Sequence, residues 1–260
     1  MSSFNFTKRN VLVFLACFSL LCFLLGQAQA SDPDALWNIV DGQCLRHQIE
    51  LGNPIPCAQV NLRPGAGFAV LKDKVGIAQF LVIPTRRTAG VESPELLTNG
   101  SPNYWAYAWG VKASVEERLH RKLARDQVAL AINSAYGRTQ NQLHIHVDCI
   151  RPDVDEILRR HSAEIGNQWA PFGIPLKNHH YWAMRIIGSE LGDNNPFKLL
   201  ADGIPSARQH MDRQTLVLIG ATFDDGKEGF ILLADHVDPA SGDRASGEEL
   251  QDHDCAIAAQ

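Results

Sequence analysis

The chain has 260 residues, 45% of them hydrophobic, and a formal charge of −5 at pH 7. That length allows one large domain or two small ones with a real core. An acidic chain without runs of Lys or Arg argues against nucleic-acid binding and against electrostatic adhesion to an anionic lipid surface.

The first thirty residues read as a leader rather than as part of the fold. Lys8 and Arg9 form a short positive region, Val11 to Leu25 is apolar or small throughout, and Ala28-Gln29-Ala30 has the small-x-small pattern of a cleavage site. The apolar run is shorter than the roughly twenty residues a spanning helix needs. Counted on through Ala30 it would suffice for a retained anchor, with Lys8 and Arg9 on the cytoplasmic side. Residues 1–30 are therefore expected to be a signal peptide or an N-terminal membrane anchor, and residues 31–260 the functional domain. The corresponding placement is single-pass in the inner membrane with the domain in the periplasm, or periplasmic if the leader is cut. Cys17 and Cys22 lack a convincing lipobox.

Beyond the leader, Asp34 to Gln48 reads as a short helix with Asp32 as cap and Pro33 in its first turn. Gly67–Lys72 and Ala78–Thr85 read as strands joined by Asp73 to Ile77. Ser93 to Leu97 looks like a loop entering a helical turn. Pro102 opens a long helical stretch to about Ala124, with Trp105, Trp109, Val115 and Leu119 at helical spacing. Val128–Asn133 and Leu143–Ile150 follow as strands, and then a helix over Asp153–Ser162. Trp169–Pro175 reads as a loop, Tyr181–Ile187 as a strand and Pro196–Ala201 as a short helix. Thr215–Phe223 and Gly229–Ala234 form a hairpin through Asp224-Asp225-Gly226-Lys227. Ala245–Cys255 closes the chain as a helix. Each half holds a hairpin, a loop and a helix, but no residue-level repeat supports a duplication.

Four cysteines lie outside the leader, and in an oxidising compartment two disulfides with three possible connectivities follow. Cys44 and Cys57 flank Asn53-Pro54-Ile55-Pro56, which their pairing would staple. Cys149 would then tie the sheet to the C-terminus at Cys255.

The most informative feature is the alternation from 142 to 148. Residues two apart on a strand share a face, so Gln142, His144, His146 and Asp148 form one polar row opposite Leu143, Ile145 and Val147. With Gly137-Arg138-Thr139-Gln140-Asn141 ahead of it, this row resembles the histidine-triad superfamily, whose motif alternates three histidines with apolar residues after an introductory Gly-Gln-Ser/Thr. The register set by Gly137 and Thr139 makes His144 the middle, nucleophilic position and His146 the third. Gln142 stands where the first histidine is usual, and Arg138 where the glutamine is. A rival register, with His144 first and His146 the nucleophile, stays open.

The likeness extends to Asn133-Ser134, to Cys149-Ile150-Arg151-Pro152-Asp153-Val154, to Val70-Leu71-Lys72-Asp73, to Glu92-Ser93-Pro94 and to the closing Arg244-Ala245-Ser246 and Asp252-His253-Asp254-Cys255. In these stretches the chain resembles the bacterial CDP-diacylglycerol pyrophosphatase family. That resemblance implies an α+β fold: a HIT-like antiparallel sheet with flanking helices, enlarged by a C-terminal hairpin and helices. It implies a covalent nucleotidyl-histidine on His144, with His146 donating to the departing oxygen and Arg138, Thr139, Asn133, Gln140 and Gln142 meeting the phosphate. No metal or other cofactor is expected, and the expected partner is CDP-diacylglycerol, reached at a membrane through the N-terminal segment.

Bland readings stand beside these. His179-His180 more naturally marks an exposed junction, Lys72 a solvated turn, and Tyr104, Trp105, Tyr107 and Trp109 a helix core rather than a groove for cytosine or an acyl chain. His210, His236 and His253 carry no assignment. Two competing functions are a hydrolase or transferase of soluble CDP-alcohols or dinucleotides, and a periplasmic zinc or copper site on His144, His146 and Asp148.

Overall fold

The computed structural model describes residues 32–259, and its ordered elements form an α+β fold around one antiparallel sheet. The strands are β1 (Gln59–Asn61), β2 (Phe68–Lys72), β3 (Phe80–Pro84), β4 (Val128–Ile132), β5 (Ile145–Ile150), β6 (Ala170–Pro171), β7 (Trp182–Ile187), β8 (Gln214–Thr222), β9 (Glu228–His236) and β10 (Gln251–Asp252). Their order is β1-β2-β3-β5-β4-β8-β9-β7-β6, and β10 pairs with β5. β3 pairs with β5 over Ile145 to Val147, so its edge is spent before Cys149 and Ile150, where β10 takes over.

The period of two divides β2 and β3 between two cores. Phe68, Val70, Phe80 and Val82 face the main core with Trp105 and Ile145. Ala69, Leu81 and Ile83 face a smaller one with Leu36, Val40 and Cys44 of the N-terminal helix and with Cys57 from the loop after it. That helix runs as α1 (Ala35–Ile39), a π-helical stretch (Val40–Leu45) and α2 (Arg46–Leu51), ending on Gly52 at φ +66°. β4, β5 and most of the β8–β9 hairpin are buried on both faces, which is why they read as continuous apolar runs.

Three expected elements differ. The stretch from Pro102 is two helices, α3 (Tyr104–Gly110) and α4 (Lys112–Leu119), and it ends at His120 with φ +52° instead of near Ala124. The buried Glu116 carboxylate turns the chain there by accepting the Leu123 N–H at 3.0 Å and bonding Lys112 and Lys122. The strand expected from Leu143 starts at Ile145. Upstream, the Gln142 side chain takes the place of a ladder, donating to the Pro84 and Arg86 carbonyls and accepting from Thr88 N–H. Ala245–Cys255 is not a helix but a 3₁₀ turn (Gly247–Leu250), β10 and a further turn. Its backbone and side chains find partners across the sheet. Gly247 N–H donates to Thr215 Oγ1, Arg151 N–H to Leu250 O, and the Gln251 amide to Ala129 O. A Cβ on Gly247 would sit 2.5 Å from Val217 Cγ2, so only glycine lets this segment lie flat. The remaining helices are α5 (Pro152–Arg160) and α6 (Pro196–Gly203), and β1, β6 and β10 are additions to the sequence reading.

The single-pass inner-membrane placement is corrected. Among the described residues no helix is long and apolar enough to cross a membrane, and the leader expected over residues 1–30 lies outside them.

Both disulfides take the first of the pairings considered, Cys44–Cys57 and Cys149–Cys255. They close sequence separations of 13 and 106 residues. In the loop-entropy account, replacing Cys149 and Cys255 by Ala lowers the unfolding free energy by about 4–5 kcal/mol, against about 3 kcal/mol for Cys44 and Cys57. Urea denaturation of the two double variants measures this, and equal losses would show that loop length does not set their contributions.

Candidate active site

β5 presents His146 and Asp148 on one face, with His144 just ahead of the strand. Residues paired across an antiparallel ladder share a face, so the His146 pairing with Leu81 and Ala131, and that of Asp148 with Ala129, defines this surface. Ala129 and Ala131 are small and leave room above β4 for the imidazoles. The side opposite His146 is closed by the C-terminal segment. Gly137, from the motif, sits at 3.1 Å (measured from an ideal Cβ) from the carbonyls of Arg244 and Ala245, a close approach that a side chain would crowd.

The two imidazoles are edge to face, 4.8 Å apart at 63°. His144 donates Nδ1–H to the Gln142 carbonyl at 2.7 Å, a partner two residues back in its own segment. That bond selects the tautomer with a bare Nε2, which has no hydrogen-bond partner among the described residues. Burial first, then the neighbouring His146, depress His144 to about 4 despite the Gln142 bond, so the ring is neutral at neutral pH. His146 is also held below its ordinary value, mainly by burial. Glu248 Oε1 lies 3.2 Å from His146 Nδ1, but off the line of a hydrogen bond, so both ring nitrogens are buried without an aligned partner.

Glu248 comes from the 3₁₀ turn of the C-terminal segment, more than a hundred residues from His146. Asn133 Nδ2 and Gln79 Nε2 donate to its two oxygens at 3.1 and 3.2 Å, and the Asn133 side-chain Oδ1 accepts the Glu248 N–H. Burial raises this carboxyl, but His146, Asn133 and Gln79 outweigh burial and keep it below the usual range. His253 Nε2 is 3.5 Å from Glu248, while its Nδ1 is 2.8 Å from Asp148 Oδ2. Asp148 is fully buried and raised by that burial, whereas its bond lifts His253 above the ordinary histidine value. A continuous row therefore runs Asp148, His253, Glu248, His146.

The residues expected to meet phosphate are not equally available. Asn133 holds Glu248, Gln142 holds the 84–88 turn, and Gln140 accepts the Leu36 N–H at 2.8 Å, so these three are engaged within the protein. Arg138 makes a two-pronged pair with Glu92 at 2.6 and 2.7 Å, under a Gly90 whose Cβ would collide with it. Its charge still reaches His144 and helps to lower it. Thr139 is exposed in the preceding turn. Lys72 donates to Asp73 O and Gly76 O, as a turn lysine does. Tyr104, Trp105 and Trp109 are core residues and Tyr107 stacks on Phe68, so no aromatic groove forms there. Asp148 is bound by His253 and by Cys149 N–H and does not converge with His144 and His146 into a ligand set. Two cavities of about 450 and 440 Å³ lie elsewhere, lined by residues such as Trp182 and Arg213 or Trp169 and Lys198, so chemistry rather than concavity marks the site.

Sequence reasoning missed Glu248 and His253. The signal was present in the cysteines: once Cys255 is paired with Cys149, His253 must lie near Asp148, and Glu248 follows on the same segment.

A neutral, tautomer-fixed imidazole beside a second imidazole and a carboxylate is equipment for nucleophilic and acid–base chemistry, the class of a group-transferring or hydrolytic enzyme. Comparison with known proteins narrows this. Residues 31–259 match the family model described as CDP-diacylglycerol pyrophosphatase. The chain is 44% identical over 250 residues to the CDP-diacylglycerol pyrophosphatase of Yersinia pestis, an alignment covering 96% of this chain and 95% of the relative. The chain belongs to the CDP-diacylglycerol pyrophosphatase family.

The depressed His144 predicts a pH dependence of stability. Between about pH 6.5, where the unfolded histidine titrates, and about 4, the unfolded chain binds a proton that folded His144 does not. This contribution is complete above that window and is lost as pH falls through it. The raised His253 has the opposite sign, present at low pH and lost as pH rises through its folded value. Thermal unfolding of wild type and His144→Gln from about pH 7.5 to about 4.5 separates the two, with the variant losing less stability on acidification. Parallel curves would mean that His144 is not held neutral by the fold.

Proposed function

We propose that the chain hydrolyses the pyrophosphate bond of CDP-diacylglycerol through a nucleotidyl-histidine on His144, within a HIT-like arrangement of the sheet. Family membership supports the substrate and the overall reaction. The observation that carries the mechanism is the 2.7 Å bond from His144 Nδ1–H to the Gln142 carbonyl, which leaves a neutral Nε2 free to attack.

In the first step Nε2 attacks the cytidylyl phosphorus and forms a P–N bond. The bridging P–O bond breaks, and its electron pair leaves with phosphatidate. His146, one pleat along and charged beside Glu248 when the anionic pyrophosphate is bound, gives its proton to the departing oxygen and is left neutral, and the nearby Arg138 charge eases the negative charge on the phosphoryl oxygens. In the second step a water attacks the same phosphorus and its proton passes to His146. The P–N bond breaks, its electrons return to His144 Nε2, and CMP departs. Glu248 stabilises the imidazolium that forms on His146. His253 and Asp148 act as positioning residues that keep Glu248 in place.

Incubating the protein with CDP-diacylglycerol labelled in the cytidylyl phosphate tests this reading. His144→Ala is expected to lower CMP release by about 1,000-fold or more, because nucleophile and intermediate are both lost. Glu248→Gln is expected to cost about 10- to 100-fold, at the weak end of acid–base effects. Quenching in alkali, where phosphoramidates survive, should leave the label on the peptide bearing His144. Label on His146 instead would establish the rival register, and wild-type activity in His144→Ala would remove the covalent mechanism.

A further inference from the structure

A second group of ionisable side chains lies apart from the paired histidines. It comprises His179 ahead of β7, Asp235 on β9, Asp243 in the loop that follows β9, and Glu249 in the 3₁₀ turn Gly247–Leu250. Asp235 and Asp243 are 5% and 7% exposed, whereas the His179 side chain keeps 27%, so the group is reached from the His179 side. One ring nitrogen of His179 and one oxygen from each aspartate lie within 4.8 Å of one another.

The backbone has oriented both carboxylates. Asp235 Oδ1 accepts the His236 N–H and Asp243 Oδ1 accepts the Ala245 N–H, each at 2.7 Å. Their second oxygens are left for the group itself. Asp235 Oδ2 is buried with no hydrogen-bond partner, and Asp243 Oδ2 stands 3.6 Å from His179 Nδ1. Two buried carboxylates without a donor between them repel, and they are reconciled only by a shared proton or by a cation. Glu249 Oε1 is 2.7 Å from both His179 Nδ1 and the Tyr181 hydroxyl, so a third carboxylate meets the same ring nitrogen that faces Asp243.

We propose that His179, Asp235 and Asp243 form a binding site for a divalent transition-metal cation of the Mn²⁺ or Zn²⁺ class. An imidazole among carboxylates suits such ions, whereas Mg²⁺ and Ca²⁺ favour oxygen donors alone. The cation would join three separate stretches of chain: the approach to β7, strand β9 and the loop entering the turn Gly247–Leu250. Glu249 borders the site and Glu248 faces His146 from the same turn, so a bound ion steadies the segment that carries Glu248. On the mechanism proposed above it acts by positioning, without touching the reacting atoms.

Untagged full-length protein, stripped with chelator, is titrated calorimetrically with ZnCl₂ and separately with MnCl₂, and its thermal unfolding is followed with each ion. One equivalent of at least one ion should bind, with a rise in Tm of several degrees, since a ligand of the folded state alone stabilises it. Asp243→Asn and His179→Ala should lose that equivalent, while His144→Ala, altered in the other cluster, keeps it. Asp243→Asn removes a buried like-charge contact and is expected to fold without metal, as circular dichroism will show. If it does not fold, His179→Ala, at a half-exposed position, decides alone. The proposal is overturned if neither ion binds, if binding survives the His179 change, or if it vanishes in His144→Ala.

Discussion

Ionisable groups buried against a β-sheet are stabilised by charged and polar neighbours, and the placement of the C-terminal segment follows from how Asp148, His253 and Glu248 meet beside His146. Asp148 has no exposure at all, and it is tolerable because Cys149 N–H and His253 both bond it. His253 in turn lies against Glu248, which is held by Asn133 and Gln79 and faces His146. Removing any one member would strand a buried neighbour, so the row acts as a unit.

That constraint explains the fastening of the last residues. β10 extends the edge of β5, Gln251 reaches Ala129 O, Ile77 N–H donates to His253 O and the Cys149–Cys255 bond closes the far end. These contacts hold the segment to the strand that bears His146 and to its neighbours on either side. Near its start the same segment is held by Glu249, whose carboxylate bonds His179 and Tyr181. The tautomer of His144 is set elsewhere. Its partner is the carbonyl of Gln142, whose side chain is itself pinned by the 84–88 turn.

Much of the fold was legible from the residues because local pattern decided it. The β2–β3 and β8–β9 hairpins lie within a few residues of their expected places, since the apolar runs and the Asp225-Gly226 turn act over short range. Pro152 and Pro196 open their helices as read. The C-terminal segment was misread as a helix because its composition permits one, and the competing partners, Thr215, Ala129 and Arg151, are remote in sequence. The early end of the helix at His120 has the same origin, for it depends on where the Glu116 carboxylate finds donors.

For the site, the sequence by itself determined the pair His144 and His146 and their spacing, because alternation along a strand is a local property. It also placed Arg138, Asn133, Gln140 and Gln142 nearby, but proximity does not reveal which donors remain free. Only the tertiary structure decided that Asn133, Gln140 and Gln142 are consumed within the protein, that Arg138 shares its charge with Glu92, and that Glu248 and His253 complete the row. The reason is physical: a hydrogen bond between residues a hundred positions apart is set by chain packing, and no local pattern of residue types encodes it.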